Sequence, residues 1–151
     1  VRGDKRFLLR RDAAYIGWRY YDNPASADYE VWTARRSGRL CGLMVLKPGS
    51  GLAPESATIA DWAVPEGDVG ANDALLAKAV QRQHDEGKVR LLTVFPPWSK
   101  EYQHLLTRGF VDTPSANWMQ RRLIHNICIP EVTAEFLAEN WWYTLGDSDL
   151  A

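Results

Sequence analysis

The chain has little that could hold a metal or close a disulfide. Cysteine occurs twice, at Cys41 and Cys128, far apart and each in apolar surroundings. That reads as two buried free thiols of a reducing cytosol rather than a bridge. Histidine occurs three times, at His84, His104 and His125, without zinc spacing. His84 and His104 fall on helix faces and read as surface or capping residues rather than bases. No apolar run approaches the roughly 20 residues of a membrane helix. Basic flank, apolar stretch and small-residue cleavage site do not combine at the N-terminus, so no secretion signal is visible and the expected location is cytoplasmic. The first residue is Val rather than Met, as in a fragment or a chain that has lost a leader. A dominant charge is missing too: 18 Lys and Arg stand against 19 Asp and Glu, a net charge of −1. No global field therefore draws nucleic acid or an anionic membrane. Ser-His-Asp spacing, a Walker pattern, internal repeats and low-complexity segments are all absent.

What is present suits one domain of 151 residues with a sizeable core. Seven tryptophans are many for this length. Trp62, Trp98 and Trp118 sit near strand ends, where they fill a core or line a pocket. The basic residues Arg2, Lys5, Arg6, Arg10 and Arg11 read as a solvated flank.

Asp12 to Tyr21 reads as a short helix capped by Asp12, with Tyr15, Trp18 and Tyr21 on one face, stopped by Asn23-Pro24. Tyr29–Arg35 alternates as a strand, Ser37-Gly38 makes a tight turn, and Leu40–Leu46 is apolar on both faces. That is an antiparallel hairpin whose second strand lies inside a sheet. Lys47–Ala57 is a Pro/Gly/Ser surface loop. Val89–Phe95 is a further apolar strand ended by Pro96-Pro97. Trp98–Arg108 is a helix capped by Ser99, burying Tyr102, Leu105 and Leu106; Gly109 closes it and Phe110 packs back. Asn117–Ile124 reads as a strand, Pro130–Asn140 holds a helix started by Thr133, and Trp141–Leu145 reads as a last strand.

The chain is organised around Ser56–Glu86. Thr58–Val64 is a strand ending at Pro65, a loop with Gly67 and Gly70 follows, and Asn72 or Asp73 caps a helix burying Leu75, Leu76, Ala79 and Val80 that ends at Gly87. A helix between two strands implies a parallel pair with a right-handed crossover. The fold class is thus α/β: an antiparallel hairpin leading into a central parallel βαβ pair, with helices on both faces of a mixed sheet. Strand, Gly-containing loop and helix N-terminus suit an anion, since free N–H groups and the helix dipole point outward there.

This order resembles the GNAT superfamily of acyl-CoA-dependent N-acetyltransferases. The resemblance is carried by YEVWTARRSGRLCGLMVL, SATIADWAVPEGDVGANDALLAKAV, VRLLTVF and EYQHLLTRGF, and covers most of Tyr29–Phe110. WRYYDNP near the start and YTLGDSDL at the end resemble a bacterial subset of GNAT-like proteins. The resemblance implies acetyl-CoA as co-substrate, lying in a splay between the two central parallel strands. Ala63 and Val64 would hold the pantetheine arm through their backbone, and Gly67, Val69, Gly70 and Ala71 would cradle the pyrophosphate, with Gly70 at the closest approach. It departs from the family at Glu66 and Asp68, which put carboxylates beside an anion site. It departs again at Leu105, where the family often has a Tyr acting as acid; Tyr102 is the nearest substitute. The family's first strand and helix are not found before Asp12, so a partial site is expected.

The chemistry expected is transfer of an acyl group to an amine of a small or sugar-linked substrate. Asp61, in the middle of its strand, is the candidate general base, with an outward-facing structural carboxylate as the plainer reading. A backbone N–H near Ala63 or Val64 would polarise the thioester. Asp147 and Asp149 suit a cation or, more plainly, a solvated tail. Acceptor specificity would lie with loops Lys47–Ala57 and Val111–Asn117, and a homodimer is compatible with all of this. The other reading is a non-catalytic GNAT-like binding or interaction domain, one half of a tandem protein, with exposed tryptophans marking a partner surface.

Overall fold

The computed structural model describes residues 5, 7–49, 53, 55–113 and 131–147. Four strands form one mixed sheet in the order β1-β2-β3-β4: β1 Glu30–Arg36, β2 Arg39–Lys47, β3 Ser56–Ala63 and β4 Arg90–Leu92. β1 and β2 are the expected hairpin, turned at Ser37-Gly38 with positive φ at both residues (49° and 79°), the geometry whose twist matches paired strands. β2 pairs antiparallel with β3, and β3 pairs parallel with β4. The mixed α/β class is therefore as read from the sequence.

A bulge in β3 decides which side chains face which way. Leu46 pairs with Ile59 but Val45 pairs with Asp61, so Ala60 is the extra residue. Alternation shifts there. Ile59, Trp62 and Val64 join Met44 and Leu46 in the main core, whereas Ala60 joins Val45 and Tyr20 in a second cluster. Every residue of β3 is buried.

Helix α2, Val69–Asp85, covers the main core with Ala71, Leu75, Leu76 and Ala79. Gly42 of β2 lets it sit close: a Cβ there would lie 3.1 Å from both Leu75 Cδ1 and Val64 Cγ2. Val80, expected inside, lies at the margin with 37% exposure; Gln83 takes the last buried position. The helix also starts earlier than expected. Asp68 is the cap, its Oδ1 accepting from Ala71 N at 3.0 Å, and Asn72 and Asp73 stand inside the first turns. Gly87 follows the helix as expected.

α1, Ala13–Ile16, is capped by Asp12 but runs straight into a π-helical turn at Gly17–Tyr21. The wider turn rotates the apolar face, so Tyr20 is buried while Trp18 and Tyr21 are exposed, contrary to the three-residue spacing. α3, Lys100–Thr107, starts at Ser99 and is followed by Gly109; Leu105 is buried, Tyr102 is half-buried, and Leu106 is exposed rather than inside. α4, Ala134–Asn140, starts at Thr133 as expected. Two expected strands are shorter. Val89–Phe95 yields only β4, and Trp141–Leu145 contributes a single parallel bridge from Trp141 to Phe7 before a 3₁₀ turn at Leu145–Asp147. The expected strand Asn117–Ile124, with Trp118, His125, Cys128 and Asp149, lies outside the described residues. Among the described residues no helix is long and apolar enough to cross a membrane.

Candidate functional site

β3 and β4 part. Their ladder runs only from Ser56↔Arg90 to Thr58↔Leu92. Beyond it one side-chain bond crosses, from Thr93 Oγ1 to Ile59 O at 3.4 Å. On its other edge β3 stays paired with β2 as far as Ala63. The far half of β3 is thus buried, yet one of its backbone edges has no strand beside it among the described residues. Buried N–H and C=O groups without partners cost free energy, so such an edge favours an extended ligand that carries amides of its own.

The space along that edge has two parts. Ile59, Trp62, Phe95 and Leu105 close the inner part to a volume of about 10 Å³, room for one water. The outer cleft, about 170 Å³, lies at the C-terminal ends of the parallel strands, between the β3–α2 loop and the first turns of α2 and α3. Ligands of open α/β sheets bind at this end.

The start of α2 offers fewer free donors than the sequence implied. Ala71 N–H goes to Asp68 Oδ1 and Val69 N–H to Gly67 O at 2.9 Å. Arg36, at the end of β1, reaches Asp68 Oδ1 at 2.8 Å, and its guanidinium with the helix amide holds the Asp68 carboxyl below its usual range. Glu66 pairs with Lys100 across the cleft mouth. The carboxylates beside the helix N-terminus are thus each matched by a cation.

Two titratable residues of α3 line both parts of the space: Glu101 and His104. Glu101 is committed, Oε1 to Lys5 Nζ at 2.6 Å and Oε2 to Trp142 Nε1 at 3.1 Å. His104 is bound on one side, Nε2 to Asp73 Oδ1 at 3.0 Å. Its expected surface role is corrected: the imidazole is only 17% exposed. Asn72, also in the wall, accepts from Trp62 Nε1 at 3.0 Å.

Of the residues singled out from the sequence, Val64, Gly67 and Val69 line the outer cleft. Ala63 and Ala71 are buried beside it, and Gly70 lies outside its lining, with Arg36 Nη2 3.4 Å from where a Cβ would stand. Tyr102 packs against the main core, and burial, then Asp112, pushes its phenol up. Asp61 is elsewhere. The bulge turns it toward Tyr20, where it is sealed from solvent. Oδ1 accepts from Arg11 Nε (3.2 Å), Thr144 Oγ1 (3.0 Å) and Trp62 N (2.9 Å), and Oδ2 accepts from Tyr20 Oη (3.1 Å). Burial pushes its carboxyl up, against the pull of Arg11, the Trp62 amide and Thr144. A carboxylate hydrogen-bonded at both oxygens and with no solvent path is poorly placed to take a substrate proton.

The partners of that network carry no local sequence signal. The sequence places Arg11 and Lys5 on a solvated flank, yet their side chains are 4% and 6% exposed. Asp147, a solvated tail by sequence, holds Arg11 Nη2 at 2.5 Å and accepts from Thr144 N at 2.9 Å. The cation it binds belongs to its own chain. Arg10, 88% exposed, behaves as the sequence implied. Cys41 is free and half-buried. Among the described residues no group of three His, Cys, Asp or Glu could hold a metal ion. In comparisons with protein-family models, curated proteins and solved structures, the chain matches none of them.

Proposed function

We propose that the chain is a GNAT-like N-acyltransferase that takes an acyl group from acyl-CoA and transfers it to an amine of a small or sugar-linked substrate. The observation that carries this reading is the buried β3 edge beyond Thr58, which has no strand beside it among the described residues. An extended arm bearing two amides, as pantetheine does, satisfies such an edge as a neighbouring strand would. When bound, acyl-CoA supplies an activated thioester. The chain's backbone at Ala63 and Val64 would hold the arm, while Gly67, Val69, Gly70 and Ala71 would face the phosphates. The fit is tighter at the arm than at the phosphates, because Asp68 already caps α2.

Calorimetry with acetyl-CoA tests the reading. Heat of binding that Gly70→Asp abolishes while the fold persists is the expected result; no binding at millimolar acetyl-CoA sinks it.

A second reading has its own observation. The Asp68 cap and the inner space filled by Trp62, Phe95 and Leu105 suit a GNAT-like domain that binds a partner without catalysis, one half of a tandem protein. Exposed Trp18 and Tyr21 would mark its partner surface. Tight acetyl-CoA binding by a monomer counts against it.

A further inference from the structure

The cleft contains one proton-transfer group whose tautomer is fixed by its neighbours. His104 Nε2 faces Asp73 Oδ1 at 3.0 Å. Asp73 is gripped by Arg108, which caps the C-terminal end of α3, Nε to Oδ1 at 2.9 Å and Nη2 to Oδ2 at 2.7 Å. That pair holds the Asp73 carboxyl below its usual range. An ionised carboxylate can only accept, so neutral His104 carries its proton on Nε2 and leaves Nδ1 as a base. Nδ1 has no hydrogen-bond partner among the described residues. His104 lines the inner gap together with Ile59 and Trp62 of β3, and also the outer cleft.

The other charged groups around the ring are spoken for. Glu101 is held by Lys5 and Trp142, and Glu66 by Lys100. Asp61, the candidate from the sequence, is sealed under Arg11, Tyr20 and Thr144.

We propose that His104, oriented by Asp73, is the proton-transfer residue of this cleft, an assignment that rests on the acyl-transfer reading above. Nδ1 takes a proton from the acceptor amine as the amine nitrogen bonds to the thioester carbonyl carbon. As the carbon–sulfur bond breaks, Nδ1–H returns that proton to the leaving sulfur, so amide and free thiol form with no further reactant. Asp73 is a positioning residue that touches neither.

The experiment has three readouts. Nitrogen-detected NMR of the imidazoles is expected to show His104 as the Nε2–H tautomer, with that preference weakened in Asp73→Asn; a predominantly Nδ1–H ring overturns the proposal. Calorimetry with acetyl-CoA decides the underlying reading, and absence of binding removes both. Release of CoA thiol with hydroxylamine as acceptor probe decides the residue. His104→Gln is expected to bind acetyl-CoA as the parent does, to lose about 10²–10⁴-fold in kcat, and to lose the ionisation seen in the parent's pH–rate profile. Should His104→Gln fail to fold, Asp73→Asn is the deciding variant, expected to lower kcat with little change in KM. A variant with parental rate and pH profile overturns the role of His104 and leaves the acyl-transfer reading standing. Binding without thiol release by the parent at any pH overturns the role and favours the binding-domain reading.

Discussion

Arg11 and Asp61 stand 50 residues apart in sequence and 3.2 Å apart in the folded chain, both almost wholly withdrawn from water. Arg11 also bonds Leu9 O, Thr144 Oγ1 and Asp147 Oδ2, and its guanidinium lies over the rings of Tyr15 and Trp142. One side chain therefore fastens the N-terminal segment and the Leu145–Asp147 turn to the middle of β3. A fork of five donors suits that task better than an ammonium.

Removing Arg11 leaves two buried carboxylates without their cation. Arg11→Met is expected to cost about 3–5 kcal/mol in urea unfolding. Adding Asp61→Asn removes one of the stranded charges, so the double variant should be less destabilised than the sum of the singles by about 1–3 kcal/mol. Strict additivity would show that the pair is not coupled.

The same network forbids a side chain at Gly146. A Cβ there would run into Tyr20 Oη and come 2.8 Å from Asp61 Oδ2, both held in place by their bond to each other. Gly146→Ala is expected to lose about 1–3 kcal/mol. Tyr20→Phe alone leaves Asp61 Oδ2 without a donor and costs about 1–3 kcal/mol, but it removes the nearer obstacle. The double variant should therefore be more stable than additivity allows; a fully additive result would place the obstacle elsewhere.

Local pattern made much of the fold legible and little of the site. The hairpin at Ser37-Gly38, the caps Asp12, Ser99 and Thr133, and the buried stripe Leu75, Leu76 and Ala79 announce themselves through short-range chemistry. The bulge at Ala60 does not, because an extra residue in a strand leaves composition unchanged while reversing which side chains share a face. Strand order alone therefore does not give the face that Asp61 meets. Arg11 and Asp147 carry charge at the two ends of the chain, and only the fold brings them together. His104 reads as a surface histidine in the sequence because its partner Asp73 lies on another helix, 31 residues away.

Acid should release the tie between β1 and α2. Glu30 accepts from Arg82 Nε (3.1 and 3.0 Å) and Nη2 (2.6 Å), and from Trp32 Nε1 at 2.9 Å. Arg82 holds its carboxyl below the ordinary range. Between the unfolded value, about 4.3, and the lower folded value the unfolded chain binds more protons, so stability falls as pH drops. The contribution is complete above about pH 5 and is lost as pH falls through the folded value. Glu30→Gln is expected to be less stable than the parent at neutral pH and to converge with it in acid. A gap that stays constant with pH would remove Glu30 from the acid transition.

Asp68 is where stability and the proposed ligand compete for the same donor. Its Oδ1 holds Ala71 N–H at 3.0 Å, with Arg36 on the same oxygen at 2.8 Å. An incoming phosphate must displace that carboxylate or bear its repulsion. Asn caps a helix about as well as Asp, so Asp68→Asn should fold normally while removing the negative charge and freeing Arg36. Acetyl-CoA affinity is then expected to rise about two- to fivefold at low ionic strength, and the gain should shrink as salt screens the charge. Titration calorimetry of parent and variant at two salt concentrations reads this directly. An affinity that falls on losing Asp68 would mean that the carboxylate belongs to the ligand's site as a partner, and that the phosphates do not lie at the start of α2.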